Sequence, residues 1–256
     1  MTGSTVLKVD ALSKSFDGLR AVSDLSFEVK AGTITSLIGG NGAGKTTAFN
    51  LITGNLTPDA GSIYFRDKRI DGLPPHKVAR AGIARGFQEL RLFNRLSARD
   101  NIEAAIPGQR GESIVRSLLG GRTLRAERRM ATARSSVLLR DLTIEAQAAT
   151  LAERLSYGQQ KLLSLGRLLA GGGELLLLDE PTSGLNPRTV EDFCLRMRAL
   201  TRDGKTILLI EHNVEIVMRL SDWVVVMHQG TTIAEGKPDE IRHNVTVMHT
   251  YLGITS

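Results

Sequence analysis

The run Gly39-Gly40-Asn41-Gly42-Ala43-Gly44-Lys45-Thr46 fits the pattern Gly-x-x-x-x-Gly-Lys-Ser/Thr, a loop that holds phosphate groups with its own backbone. Glycines at 39, 42 and 44 permit the tight bend that points the N–H groups of Asn41 to Thr46, Ala43 among them, at an anion. The Lys45 ammonium would reach the β- and γ-phosphates, the Thr46 hydroxyl would ligand Mg²⁺, and Thr47 extends the phosphate-binding set. The bland alternative, a glycine-rich turn without nucleotide, fits poorly with a Lys-Thr pair at this spacing. Leu175-Leu176-Leu177-Leu178-Asp179-Glu180 then ends an apolar run on two carboxylates. Asp179 suits a cation held through water. Alternation along the strand sends Glu180 another way, towards an attacking water, and makes it the general-base candidate. His212 follows the apolar run Thr206 to Ile210. A lone histidine is more often structural, but a strand end of an open α/β sheet is where ligands bind, and there it could orient the water. Together these residues describe phosphoryl transfer, in which positioning and charge neutralisation do most of the work.

The elements that must carry them are legible in outline. Leu7 to Val29 alternates apolar and polar residues, with turn signals at Asp17-Gly18 and Ala31-Gly32, and predicts strands of an antiparallel sheet. Thr33 to Ile38 reads as a short strand running into the glycine loop. Lys45 to Thr53 reads as a helix stopped by Gly54. Leu96 to Leu151 lacks clear strands and has helical spacing, broken at Pro107-Gly108 and Gly120-Gly121. A further helix is expected over Gln160 to Ala170. Leu175 to Leu178, a helix from about Pro187 to Arg202, and Thr206 to Ile210 form a βαβ unit and imply a largely parallel sheet. Val224 to Met227 reads as another short buried strand.

Bulk properties narrow the setting. The chain has 256 residues, 41% of them hydrophobic, enough for one or two domains with a sizeable core. Its one cysteine, Cys194, excludes an internal disulfide, fits a reducing cytosol and reads as packing. No stretch approaches the ~18 consecutive apolar residues of a membrane span, and Met1 to Asp10 lacks the pattern of a signal peptide. The expectation is a soluble protein whose membrane role, if any, comes through a partner. Between Arg110 and Arg140 lie eight arginines and two glutamates, which accounts for the whole net charge of +6. That segment reads first as a solvated helical face, next as a surface for anionic lipid head groups. Nucleic acid comes last, because no aromatic stacking residues accompany the arginines.

Leu155-Ser156-Tyr157-Gly158-Gln159 adds a second motif. With the glycine loop, Asp179-Glu180 and His212, in that order, the chain resembles the ATP-binding-cassette (ABC) ATPases from about Leu7 to Gly253. The resemblance implies an α/β fold: a P-loop NTPase core with a parallel sheet, an N-terminal antiparallel β subdomain and an inserted helical subdomain. It implies one nucleotide-binding domain, with an ATP-binding core over 1–90 and 160–256 and a helical signature subdomain over 91–159. Phe16 resembles the aromatic that stacks on adenine. Gln88 resembles the Q-loop glutamine that touches Mg²⁺ and senses a transmembrane partner. Ser156, Gly158 and Gln159 resemble the signature residues that bind the γ-phosphate held by another subunit. Ser183-Gly184-Leu185-Asn186 resembles the D-loop, and His212 the switch histidine.

Within that family, Leu155-Ser156-Tyr157-Gly158-Gln159-Gln160, Arg91-Leu92-Phe93, Ile210-Glu211-His212-Asn213 and the ending Tyr251-Leu252-Gly253 are similar to the larger ATPase of branched-chain amino acid importers. Urea and amide importers share these features. Three departures stand out: Gly40 where proline is usual, Gly86 where threonine is usual, and Asn186 where most D-loops have aspartate. The resemblance implies ATP and Mg²⁺ as cofactors and a peripheral place on the cytoplasmic face of the inner or plasma membrane. The partners it implies are permease subunits, a sister ATPase or a second copy, and indirectly a periplasmic or extracellular binding protein, with no nucleic acid. The alternatives are an ATPase of a lipid or lipopolysaccharide exporter and a soluble ABC protein acting on DNA or ribosomes. The last usually carries a long coiled coil or a second cassette, and neither is legible here.

Overall fold

The computed structural model describes residues 3–86, 90–108 and 121–250, the backbone alone for 121–125 and 248–250. Gln88, Phe87 and the ending Tyr251-Leu252-Gly253 lie outside the described residues, as do Arg110, Arg116 and Gly120. In chain order the main elements are β1 (Thr5–Phe16), β2 (Leu19–Lys30), β3 (Ile34–Gly39), α1 (Lys45–Ile52), β4 (Ala60–Phe65), β5 (Lys68–Arg69), α2 (Pro75–Ala81), β6 (Ile83–Gly86) and α3 (Ala98–Glu103). They continue with α4 (Gly121–Asp141), α5 (Tyr157–Ala170), β7 (Leu175–Asp179), α6 (Pro187–Arg202), β8 (Thr206–Ile210), α7 (Val214–Leu220), β9 (Trp223–His228) and β10 (Thr231–Gly236). The chain divides into two compact units, one of residues 1–88, 174–183 and 194–256, the other of 89–173 and 184–193.

The first unit holds both sheets. β2-β1-β4-β5 is antiparallel, and its first hairpin turns on Asp17 and Gly18, both at positive φ (46° and 86°), the two-residue turn that matches strand twist. The other sheet runs β10-β9-β3-β8-β7-β6, parallel except for the β9–β10 pair. β3, β7 and β8 are buried at every position, as strands covered on both faces must be. Within that layer two buried hydroxyls pair with each other: Ser36 Oγ lies 2.5 Å from Ser221 Oγ. α1 places Ala48, Phe49, Leu51 and Ile52 in the core that also takes Leu37, Leu177, Leu208 and Val225. Fully burying a side chain such as Phe49 is worth about 1.5–3 kcal/mol, so α1 is anchored by packing rather than by helix propensity.

The described residues of the second unit are helical, with α3, α4 and α5 packed on one another and short 3₁₀ turns at Glu145–Gln147 and Ala152–Arg154. Fully buried Asn101 braces the segment before α3: its Oδ1 accepts from the Phe93 N–H, and its amide donates to the carbonyls of Phe93, Leu96 and Ser97. Arg167 of α5 donates to the Arg91 carbonyl and lies 4.6 Å from the Phe93 ring centroid.

Sequence periodicity placed α6 and β8 at their observed bounds. α5 begins three residues before Gln160, because Ser156 and Gln159 cap it reciprocally. β4, β6 and β10 carry no clean alternation of their own, and pairing with neighbours makes them strands. Cys194 is buried in α6, as a packing residue would be. Among the described residues no helix is long and apolar enough to cross a membrane.

Candidate active site

β3, β8 and β7 lie side by side and parallel, so their C-terminal ends share one edge of the sheet. Gly39 to Lys45 leaves β3 there, Asp179 and Glu180 leave β7, and His212 leaves β8. The first unit thus gathers the glycine loop, both carboxylates and the histidine at the edge where open α/β sheets bind ligands.

The loop's glycines are there for two reasons. Gly44 has φ 97°, and a Cβ on it would sit 2.4 Å from the Ala21 carbonyl oxygen. A Cβ on Gly39 would sit 2.2 Å from that of Met227. Gly42 has φ 76° but open space, so conformation alone selects it. Gly40 has neither constraint. Gly40→Ala is therefore expected to leave stability unchanged or raise it by about 0.4–1 kcal/mol through the unfolded chain. Gly44→Ala should cost about 2 kcal/mol or more. Urea unfolding midpoints test the pair, and equal effects at 40 and 44 would refute the distinction.

Gly44 caps α1 without a side chain, and no acidic residue occupies the first turn, so the positive end of the helix faces the loop. Lys45 is 6% exposed; its Nζ donates to the carbonyls of Gly39 (2.8 Å) and Gly40 (2.9 Å). Burial lowers its pKa, while Glu180 and Asp179 oppose that shift. Thr46 is exposed, Thr47 half-buried, Ala43 buried, and Asn41 and Gly42 exposed.

Burial pushes the Asp179 carboxyl above its ordinary range, and the Arg85 guanidinium, with Nη2 at 3.7 Å, draws it back. Arg85 also donates to Asn50 Oδ1 at 2.5 Å, which ties β6 to α1. Thr46 and Asp179 offer a hydroxyl and a carboxylate, an oxygen donor set that fits Mg²⁺. His212 Nε2 lies 2.7 Å from Glu180 Oε1, close enough for the ring N–H to donate. Glu180 does not get its direction from strand alternation, as the sequence had implied. It stands past the end of β7 at φ 46°, with its N–H bonded to the Ile210 carbonyl (2.9 Å), and this left-handed turn sets its aim.

Phe16 ends β1, 40% exposed, with Lys14 Nζ 5.7 Å from its ring centroid. The same hairpin brings the Ala21 carbonyl against Gly44, so the aromatic belongs to an element that borders the loop. The signature residues stand in the second unit, at the start of α5. Ser156 Oγ accepts from the Gln159 N–H, and Gln159 Oε1 accepts from the Ser156 N–H. This capping uses acceptor functions and leaves the Ser156 hydroxyl hydrogen and the Gln159 amide as donors. Tyr157 packs on Gly184, where a Cβ would come within 2.9 Å of the ring, and a Cβ on Gly158 would come as close to Thr189.

The sequence reading missed Arg85, Asn50, Thr182 and Glu211. Arg85 had a signal: it is a lone charge in the strand that runs alongside buried β7. The other three had none, because their roles depend on partners far along the chain.

The profile of the family described as ABC transporter matches residues 22–183. A high-affinity branched-chain amino acid transport ATP-binding protein, LivG of Salmonella typhimurium, is 39% identical over 97% of this chain and 98% of its own. A lipopolysaccharide export system ATP-binding protein, LptB of Escherichia coli, is 35% identical over 94% of this chain and 95% of its own. A crystal structure of a nucleotide-free ATP-binding cassette from an ABC transporter superposes with TM-score 0.84 at 30% identity, over 99% of this chain and all of that one. With a P-loop sheet, an antiparallel β subdomain and a helical unit already described, these matches show that the chain belongs to the ABC transporter family, as one of its ATP-binding cassettes.

Proposed function

We propose that this ABC-transporter ATPase powers the import of branched-chain amino acids through a membrane permease. The observation that carries the substrate class is the end-to-end similarity to LivG, which exceeds that to LptB. Two cassettes, this chain with a sister ATPase or a second copy, close head-to-tail on two ATPs. Each site takes its phosphate loop from one chain and the donors of Ser156, Gly158 and Gln159 from the other.

In this reading the loop amides from Asn41 to Thr46, together with Thr47, hold the phosphates. Lys45 leaves the carbonyls of Gly39 and Gly40 for the β- and γ-phosphates. Phe16 stacks on the adenine. Thr46, Asp179 and Gln88 would hold Mg²⁺, which when bound would neutralise phosphate charge. Glu180 takes the proton of the attacking water, and His212 orients that water and the γ-phosphate. Gln88 and Arg91 to Phe93 receive a permease helix at the cytoplasmic face of the membrane. The braced segment from Phe93 to Ser97 supports such a seat, since a docking surface must be stiff to transmit motion. A periplasmic or extracellular binding protein would deliver the amino acid to the permease, so the substrate never touches this chain.

Co-purification of the tagged protein from native membranes tests the assignment. The expected companions are a permease pair, a sister ATPase and an amino-acid-binding protein. A lipid-handling assembly or ribosomes in their place would overturn the import reading and leave the ATPase chemistry standing.

A further inference from the structure

Glu211 is a carboxylate that the reaction outlined above does not use, and it is 3% exposed. A charge held that far from water is costly unless donors surround it. Three do. Glu211 Oε1 accepts from the Thr182 hydroxyl (2.5 Å) and the Thr182 N–H (3.1 Å), and Oε2 accepts from the His212 N–H (3.3 Å). Charge-assisted bonds of this kind are among the stronger ones a side chain makes.

The positions of those donors give the carboxylate a task. Thr182 stands two residues after Glu180, on the turn that leaves β7, and His212 directly follows Glu211 at the end of β8. Glu211 therefore spans the two strand ends where Glu180 and His212 meet at 2.7 Å. The turn it grips carries Glu180 at φ 46°, a left-handed conformation that a non-glycine residue keeps only when its surroundings fix it. Backbone bonds from the Glu180 N–H to Ile210 and from the Ser183 N–H to the Glu180 carbonyl complete the brace.

We propose that Glu211 is a positioning residue, which through Thr182 and the His212 amide sets the separation and aim of the Glu180 carboxylate and the His212 ring. The inference rests on the reading of Glu180 as general base. A displacement of about 1 Å at such a pair can cost ~10²-fold in rate, so a strut acting through hydrogen bonds is worth measuring even though it touches no substrate.

Thr182→Val removes the hydroxyl donor and keeps the side-chain shape, Thr182→Ser restores the donor, and Glu211→Gln removes the charge while keeping an acceptor oxygen. The readouts are kcat and KM for ATP hydrolysis by the full chain, and the NMR resonances of the His212 ring without nucleotide. Thr182→Val and Glu211→Gln are each expected to lower kcat ~10-fold or more, to hold KM within about twofold, and to move the ring signals. Thr182→Ser should return kcat to within about twofold of the parent. Unchanged kcat in Thr182→Val overturns the proposal, even if Glu211→Gln fails to fold. So does a joint loss of kcat and KM that Thr182→Ser does not repair, which would mark a general structural role. Glu180→Gln, measured alongside, separates the two ideas. Near-parental turnover there refutes the base assignment, whereas unmoved His212 signals in the strut variants refute the strut itself.

Discussion

Glu180→Gln is expected to bind ATP about as tightly as the parent and to hydrolyse it ~10²-fold or more slowly, judging by what single acid–base groups contribute. The substitution is nearly isosteric and keeps an oxygen for the contact now 2.7 Å from His212 Nε2. It removes the ability to take a proton from water. The left-handed φ of 46° at this position is a property of the turn, anchored by the bond to Ile210, and does not depend on the side chain's charge. Binding and chemistry should therefore separate cleanly. Titration with a fluorescent ATP analogue would give affinity, and a single-turnover measurement would give the rate. A variant that turns over at close to the parental rate would remove Glu180 from the role of base and send attention to His212.

Lys45→Met should have the opposite signature, with loss at the binding step. Lys45 is 6% exposed, and its ammonium is satisfied by two backbone carbonyls of the phosphate loop. Glu180 and Asp179 nearby favour its charged form against burial. Methionine fills much the same space and carries no charge, so the phosphates would lose a charge-assisted contact. Loss of one such buried partner typically costs about 2–5 kcal/mol, which converts to ~30-fold or more in affinity. Stability without nucleotide should change far less, since the lost carbonyl bonds are offset by relief of the buried charge. Calorimetric titration with ATP checks the first statement and thermal unfolding the second. Affinity within about threefold of the parent would mean that the loop amides alone hold the nucleotide.

These expectations rest on two kinds of information. The identity and order of the reacting groups come from the sequence. Glycines at 39, 42 and 44 followed by Lys45-Thr46, an apolar run ended by Asp179-Glu180, and a histidine after a second such run are all local patterns. The elements that carry them are equally local. Asp17-Gly18 specifies its hairpin because both residues tolerate positive φ. α6 and β8 keep the bounds that periodicity and Pro187 give them. The parallel sheet follows from alternation of strands and helices, and the family resemblance rests on motifs no longer than eight residues.

Tertiary structure decided how the groups are aimed. Gly39 and Gly44 are required by the carbonyls of Met227 and Ala21, which no local pattern could announce. Asp179 shares its environment with Arg85, from a strand whose sequence carries little periodic signal and which exists because β7 pairs with it. Glu180 is turned by a left-handed residue conformation rather than by strand alternation, and Glu211, 29 residues beyond Thr182 in sequence, grips that turn. The physical reason is range. Propensity, capping and turn chemistry act within a few residues and are written in order along the chain. Burial of a charge and the closing of a hydrogen bond between distant strand ends are settled only when packing brings those ends to one edge of the sheet.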